Sequence, residues 1–218
     1  MQKLISFSLF GQQDKYLIGL QKNIELVKIY YPNWNIIVYY QNIQDDYLTQ
    51  IEHNVILRDM NNSSLCGTMW RFLAHDESNT ERFMIRDADS RISQREVDAV
   101  NEWVDSGKIL HIMRDHPHHG HMIMGGMWGM VCQSDLNMKL ECEKYMQNKN
   151  KEHWSMTDML FLRDIIYPKY VSNSKIHATY AKFELHAEDF PSILIDKKFV
   201  GEIYNADDSR EYQYTLIH

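Results

Sequence analysis

The apolar positions of the first half of the chain switch repeatedly between a period of two and a helical period, and each switch predicts an element. Residues 3–10, KLISFSLF, read as a strand. Residues 14–32 read as a helix with a stripe of Tyr16, Leu17, Leu20, Ile24, Leu26 and Val27, stopped by Pro32. The continuous apolar run at 33–40, NWNIIVYY, suits a buried parallel strand. A short helix at 44–53, a strand at 54–60 and a helix at 64–76 follow, and then a strand at 82–87. The helix at 93–107 has the clearest boundaries, with Ser93 as cap, Glu96 at the capping-box offset and Gly107 closing it. A strand at 108–115 completes the alternation. This order predicts an α/β fold whose central sheet is mixed but mostly parallel, with helices on both faces.

The second half is less regular. Residues 116–130 form a loop rich in His, Gly and Met that leads into a short strand. Helices are predicted at 135–148 and 155–167, the second ended by Pro168, and short strands or coil occupy the tail from 172 to 218. No repeat, linker or low-complexity segment interrupts the chain. Residues 1–218 are therefore expected to make one domain, and that length can bury a sizeable core.

Composition narrows the function. A hydrophobic content of 44% excludes a disordered chain, and the net charge of −7 argues against nucleic acid as a partner. The three cysteines, Cys66, Cys132 and Cys142, have no CxxC spacing and are expected to be free thiols. No segment reaches the length of a membrane span, and the N-terminal MQKLISFSLFGQQ reads as a strand rather than a signal peptide. The expected location is cytoplasmic.

The chemistry concentrates where FMIR runs into Asp87-Ala88-Asp89. Residues i and i+2 of a strand share a side, so the two carboxylates converge if the extended chain persists to Asp89. Such a pair repels unless a cation bridges it or one member holds a proton. Oxygen ligands with open positions suit Mg²⁺ or Mn²⁺. The plainer reading makes Asp87 a turn cap and Asp89 a helix cap. Arg86 and Arg91 flank the pair and can serve either phosphates or the carboxylates themselves.

The segment FMIRDADSRISQREVDAVNEWVDSGKILHIMRDHP resembles the region around the DxD motif in small nucleotide-sugar glycosyltransferases of the GT-A fold, of a type found in polysaccharide-synthesis genes and large DNA viruses. The resemblance is most specific over 71–130 and extends to WSMTDMLFLRDIIYP, where Asp158-Met159 stands in place of Asp-Gln. It implies a single GT-A-like domain, with a nucleotide-binding half at 1–115 and a sugar and acceptor half at 116–218. It implies a divalent-metal-dependent transferase acting from a nucleoside diphosphate sugar, with UDP favoured, onto a glycan or other hydroxyl acceptor. Under it Asp87 and Asp89 hold the metal, with His186 as a further ligand and His177 as the competitor. Ser8, Phe10, Gly11, Arg71, Ala88 and Arg91 join the donor site. Asp158 is the candidate base, or in a retaining enzyme the support of the donor sugar. In the loop of His116, His118, His119 and His121, the adjacent Gly125-Gly126 and Trp128 are expected to shape the sugar and acceptor pocket. Two other readings compete. One is a metal-dependent phosphohydrolase or nucleotidyltransferase using the same pair, and the other is a noncatalytic histidine-rich metal- or carbohydrate-binding module.

Overall fold

The computed structural model describes residues 1–11, 13–147 and 156–211. The end of the helix predicted to reach 148, the start of the one from 155, and the tail beyond 211 lie outside them. The elements run β1 (Gln2–Phe10), α1 (Asp14–Tyr30), β2 (Asn35–Gln41), α2 (Asp45–Ile51), β3 (Ile56–Asp59), α3 (Gly67–Trp70), β4 (Thr80–Ile85), α4 (Gln94–Ser106), β5 (Leu110–Arg114), β6 (Trp128–Val131), α5 (Met138–Gln147), α6 (Thr157–Phe161), α7 (Tyr167–Tyr170) and β7 (Ser174–Ala178). The seven strands form one sheet in the order β3-β2-β1-β4-β6-β5-β7. β6 runs antiparallel to both its neighbours, and every other pair is parallel.

Alternation on β1 shows how the sheet is covered. Ile5, Phe7 and Leu9 face the side carrying Leu20 and Ile24 of α1, Leu48 of α2 and Trp103 of α4. Leu4 faces the other side, with Trp70, Phe72, Cys142 and Phe161. Ser6 and Ser8 share that second side, and their hydroxyls bind the backbone of Arg71: Ser6 Oγ donates to Arg71 O at 2.7 Å, and Arg71 N donates to Ser8 Oγ at 3.1 Å. The serines inside a buried strand thus satisfy a tight 3₁₀ turn, Arg71–Asp76, that continues α3. A single regular helix over 64–76 does not form.

The predicted stop at Pro168 is also corrected. The helical path continues from α6 through a wider turn at Leu162–Ile166, where Tyr167 N bonds Leu162 O, into α7. Proline lacks an N–H and crowds the carbonyl four residues earlier, and a widened turn accommodates both defects. The three cysteines are free thiols, two of them buried. No helix among the described residues is long and apolar enough to cross a membrane.

His177 belongs to the core and not to a metal site. Its Nε2 lies 3.0 Å from Glu102 of α4 and its Nδ1 3.0 Å from Nε2 of His111, which stacks on Trp103. The carboxylate needs a donor, so His177 carries its proton on Nε2 and His111 must donate to His177 Nδ1. Burial lowers the pKa of His111 well below the ordinary imidazole value and lowers that of His177 too, against the raising effect of Glu102. Lys175 and Arg86 add further positive charge against His111. Depressed imidazoles bind fewer protons folded than unfolded, so their stabilisation is complete above about pH 6.5 and is lost as pH falls toward their folded values. Urea midpoints measured from pH 7.5 to 5.5 are expected to fall more steeply for the wild type than for His177→Gln. Parallel slopes would show that the pair does not titrate with unfolding.

Candidate active site

The sheet reverses its winding between β1 and β4, the place where open α/β sheets gather ligands at their carboxyl ends. A cleft of about 610 Å³ opens there. β4 ends at Ile85, two residues short of the predicted end, although Arg86 N still bonds Ser6 O at 3.1 Å. Asp87 to Ser90 then form a tight turn closed by Ser90 N on Asp87 O at 3.2 Å and Ser90 Oγ on the same oxygen at 2.9 Å. The carboxylates therefore meet through a turn and not through strand alternation. Both line the cleft, with Ala88 between them.

Two residues of α1 hold this turn, and neither was singled out from the sequence. Asn23, buried in the apolar stripe, donates to Ala88 O and Ser90 O at 3.3 and 2.8 Å and accepts from Ile92 N at 3.2 Å. Its signal is its position, a polar residue between Leu20, Ile24 and Val27 where only a satisfied one is tolerated. Gly19 lets the helix approach, because a Cβ there would lie 2.2 Å from Ala88 O. Gly19→Ala must push α1 off the turn, and it is expected to cost about 1–3 kcal/mol in urea unfolding. An unchanged midpoint would show that the helix gives way freely.

Arg71 is the second organiser. Its buried guanidinium donates to Asp87 Oδ1, to Asp158 Oδ2 at 3.2 Å and to Arg86 O at 3.4 Å, while its Nε bonds Thr68 O at 3.2 Å. Asp158 comes from the first turn of α6, so Arg71 ties the two halves of the chain together across the cleft. Gly125 and Gly126 close over this triad. A Cβ at Gly125 would lie 2.5 Å from Asp158 Oδ2, and one at Gly126 would lie 1.8 Å from Asp87 Oδ2.

Asp89 is paired differently. Its carboxylate lies 3.3 Å from Lys15 Nζ. Burial, and then the charge of Asp87, raise its pKa against the opposing lysine. Ser8, Phe10, Gly11 and Tyr16 line the cleft on the β1 side, where Gly11 turns the chain with φ 74° and Phe10 packs edge-on against Trp70. His116, His118 and His119 line the far side. His116 Nδ1 accepts His118 N at 3.1 Å, and His119 Nδ1 accepts Asp115 N at 3.0 Å. A nitrogen that accepts a backbone N–H carries no proton, so both neutral rings carry theirs on Nε2. Burial lowers the pKa of His116 and brings that of His119 down to about 4.

Three expected site residues lie elsewhere. Arg91 pairs with Asp208 at 2.9 Å and stacks on Tyr204, outside the cleft lining. Trp128 is fully buried on β6 between Phe72 and Phe83, where an indole fills the core beneath the sheet instead of facing a sugar. His186 is exposed, and its Nε2 lies 3.0 Å from Ser174 Oγ at the start of β7. It does not line the cleft.

Among the described residues no three His, Cys, Asp or Glu side chains converge as a metal cage. The Asp87 and Asp89 pair nonetheless suits a hard divalent ion that takes its other ligands from water and phosphate. The carboxylates are hard oxygen donors, Gly126 leaves open the space beside Asp87, and the Lys15 ammonium already stands as a cation at Asp89.

No protein-family model and no curated protein matches the sequence. Solved structures do match in fold. The glycosyltransferase GlyE of Streptococcus pneumoniae TIGR4 superposes with a TM-score of 0.55 at 12% identity, over 80% of this chain and 44% of that one. An active-site mutant of LgtC superposes with a TM-score of 0.52 at 13% identity, over 94% of this chain and 93% of that one. The chain thus spans less than half the length of GlyE and nearly all of LgtC. This is a single α/β domain of the GT-A-like fold class.

Proposed function

We propose that this protein is a divalent-metal-dependent glycosyltransferase that moves a sugar from a nucleoside diphosphate sugar, UDP favoured, to a glycan or other hydroxyl acceptor. The observation that carries the reading is the turn Asp87-Ala88-Asp89 at the switch point of the sheet, lining one cleft together with Arg71 and Asp158. In this reading the base lies over Ser8, Phe10 and Gly11, beside Tyr16. Asp87 and Asp89 hold Mn²⁺ or Mg²⁺, which when bound supplies Lewis-acid stabilisation of the leaving diphosphate. Gly125 and Gly126 let the sugar approach the backbone. Asp158, anchored on Arg71, orients a donor-sugar hydroxyl, a task that needs no proton uptake. The half up to residue 115 serves the nucleotide, and the half from 116 serves the sugar and the acceptor.

A two-metal phosphohydrolase or nucleotidyltransferase requires carboxylates converging on a second ion, and none accompany the pair among the described residues. A histidine metal module requires imidazole nitrogens free to ligate, whereas two of the loop rings spend Nδ1 on the backbone.

The test is UDP binding by calorimetry, with Mn²⁺ and with EDTA, for the wild type and Asp89→Ala. Binding that needs the metal and disappears in the variant supports the reading. Binding undiminished by EDTA removes the metal from it, and absence of binding in every condition removes UDP as the donor nucleotide.

A further inference from the structure

The two carboxylates of the acidic turn are neutralised by cations of very different character. The Arg71 guanidinium on Asp87 is buried and fixed by bonds to Thr68 O, Arg86 O and Asp158. It is part of the framework. Lys15 on Asp89 is an ammonium on a flexible stem, its side chain 28% exposed, at the second position of α1. A second carboxylate stands within its reach, with Glu211 Oε2 3.9 Å from the same Nζ.

Glu211 sits on a segment that closes one wall of the cleft. Phe199, Gly201 and Ile203 line that wall. The segment is tied to the acidic turn by Tyr204 N on Asp89 O at 2.9 Å and by the bridge between Ser90 and Ile203. Glu211 is itself anchored there, its N bonding Ile203 O at 3.0 Å.

Resting on the metal-dependent reading above, we propose that Lys15 is an internal counter-cation, which occupies Asp89 in the metal-free protein and passes to Glu211 when a divalent ion takes the carboxylate. A buried carboxylate beside a second one cannot stand uncompensated, so the metal-free turn needs a cation. A removable ammonium fills that need without blocking the ion, because a doubly charged ion outcompetes it and repels it toward the nearest remaining anion. The exchange replaces one positive charge at the turn by two and hands the displaced ammonium to Glu211. It also ties the start of α1 to the C-terminal wall in the metal-loaded protein, so loading the site and securing the wall become one event. Lys15 acts here as a positioning residue. It touches no reacting atom.

Binding of Mn²⁺ to the nucleotide-free protein, followed through the paramagnetic resonance signal of the free ion, tests this without turnover. Lys15→Met removes the competitor and is expected to tighten Mn²⁺ binding about five- to tenfold. Glu211→Gln removes the destination and is expected to weaken it roughly twofold. The double variant should match Lys15→Met alone, because without the lysine Glu211 has nothing to receive. Unchanged or weaker Mn²⁺ affinity in Lys15→Met overturns the exchange while leaving the metal site standing. A Glu211→Gln effect that persists in the double variant overturns the destination. Failure of the wild type to take up Mn²⁺, with or without UDP, defeats the metal site and the exchange together. Both substitutions lie on partly exposed side chains, and thermal unfolding of each variant confirms that the fold is intact.

Discussion

Arg71→Met is expected to abolish the proposed transfer and to destabilise the fold together, by about 2–4 kcal/mol, because one side chain neutralises two carboxylates from opposite halves of the chain. The Asp158 side chain is 8% exposed and bears most of the penalty. That of Asp87 is 45% exposed, and water softens its loss. With the guanidinium gone, the carboxylates no longer have a fixed separation under Gly125 and Gly126. A displacement of an ångström in such a site costs orders of magnitude in rate, so turnover should fall at least about a thousandfold. Arg71→Lys keeps the charge but loses the planar fork that spans Asp87, Asp158 and two carbonyls, and should recover stability only in part. The decisive variant is Arg71→Met/Asp158→Asn, which removes the more deeply buried unpaired charge. It should regain most of the lost stability in urea unfolding while remaining inactive. If Arg71→Met unfolds at the wild-type midpoint, the carboxylates are compensated from elsewhere and the organising role of Arg71 is wrong.

How much of this was legible beforehand differs by kind of signal. Period and breakers were reliable where burial on one face decides the outcome. Ser93 does cap α4, accepting from Glu96 N, and Gly107 closes it at φ 66°. The acidic pair and the two glycines were visible as residue types, Arg71 and Asp158 only through the resemblance, and the fold brings them to one cleft. What failed was the direction in which long side chains point. Arg86 and Arg91 flank the pair in sequence, yet one turns into the core and the other out to Asp208. Trp128 follows a glycine pair, yet strand alternation on β6 sends it inward. His177 lies on β7, whose placement depends on pairing with β5 between residues more than sixty positions apart, and His186 lies on a segment that bonds back to β7, contacts that no local pattern encodes. Asn23 and Lys15 were missed for the opposite reason. Lys15 is ordinary on α1, and Asn23 is marked there only as a polar residue in need of partners; both acquire meaning because Gly19 brings α1 against the turn.

The other large effect follows from Arg86, whose destination the sequence did not give away. Its guanidinium and the carboxylate of Glu96 are each 2% exposed and meet at 2.7 Å. Further bonds run from Arg86 to Ile85 O at 2.6 Å and Trp128 O at 3.2 Å. The Tyr31 hydroxyl adds a bond to Glu96 at 3.3 Å. The Glu96 side chain therefore serves this pair, while its backbone N–H alone meets the Ser93 cap. Glu96→Ala strands a guanidinium in the core beneath β4 and is expected to cost about 3–5 kcal/mol. For a chain of this size that lowers the melting temperature by roughly 10 °C. The penalty belongs to the unpaired charge and not to the missing bond, which gives a sharp control. Arg86→Met/Glu96→Leu replaces both ions with apolar groups of similar volume and should melt within a few degrees of the wild type. Because Arg86 is joined directly to Asp87, the stable double variant also isolates a functional question. If its affinity for UDP in the presence of Mn²⁺ equals that measured for the wild type, the buried pair serves folding alone. If it is stable yet binds weakly, the pair also sets the angle at which the acidic turn leaves the strand.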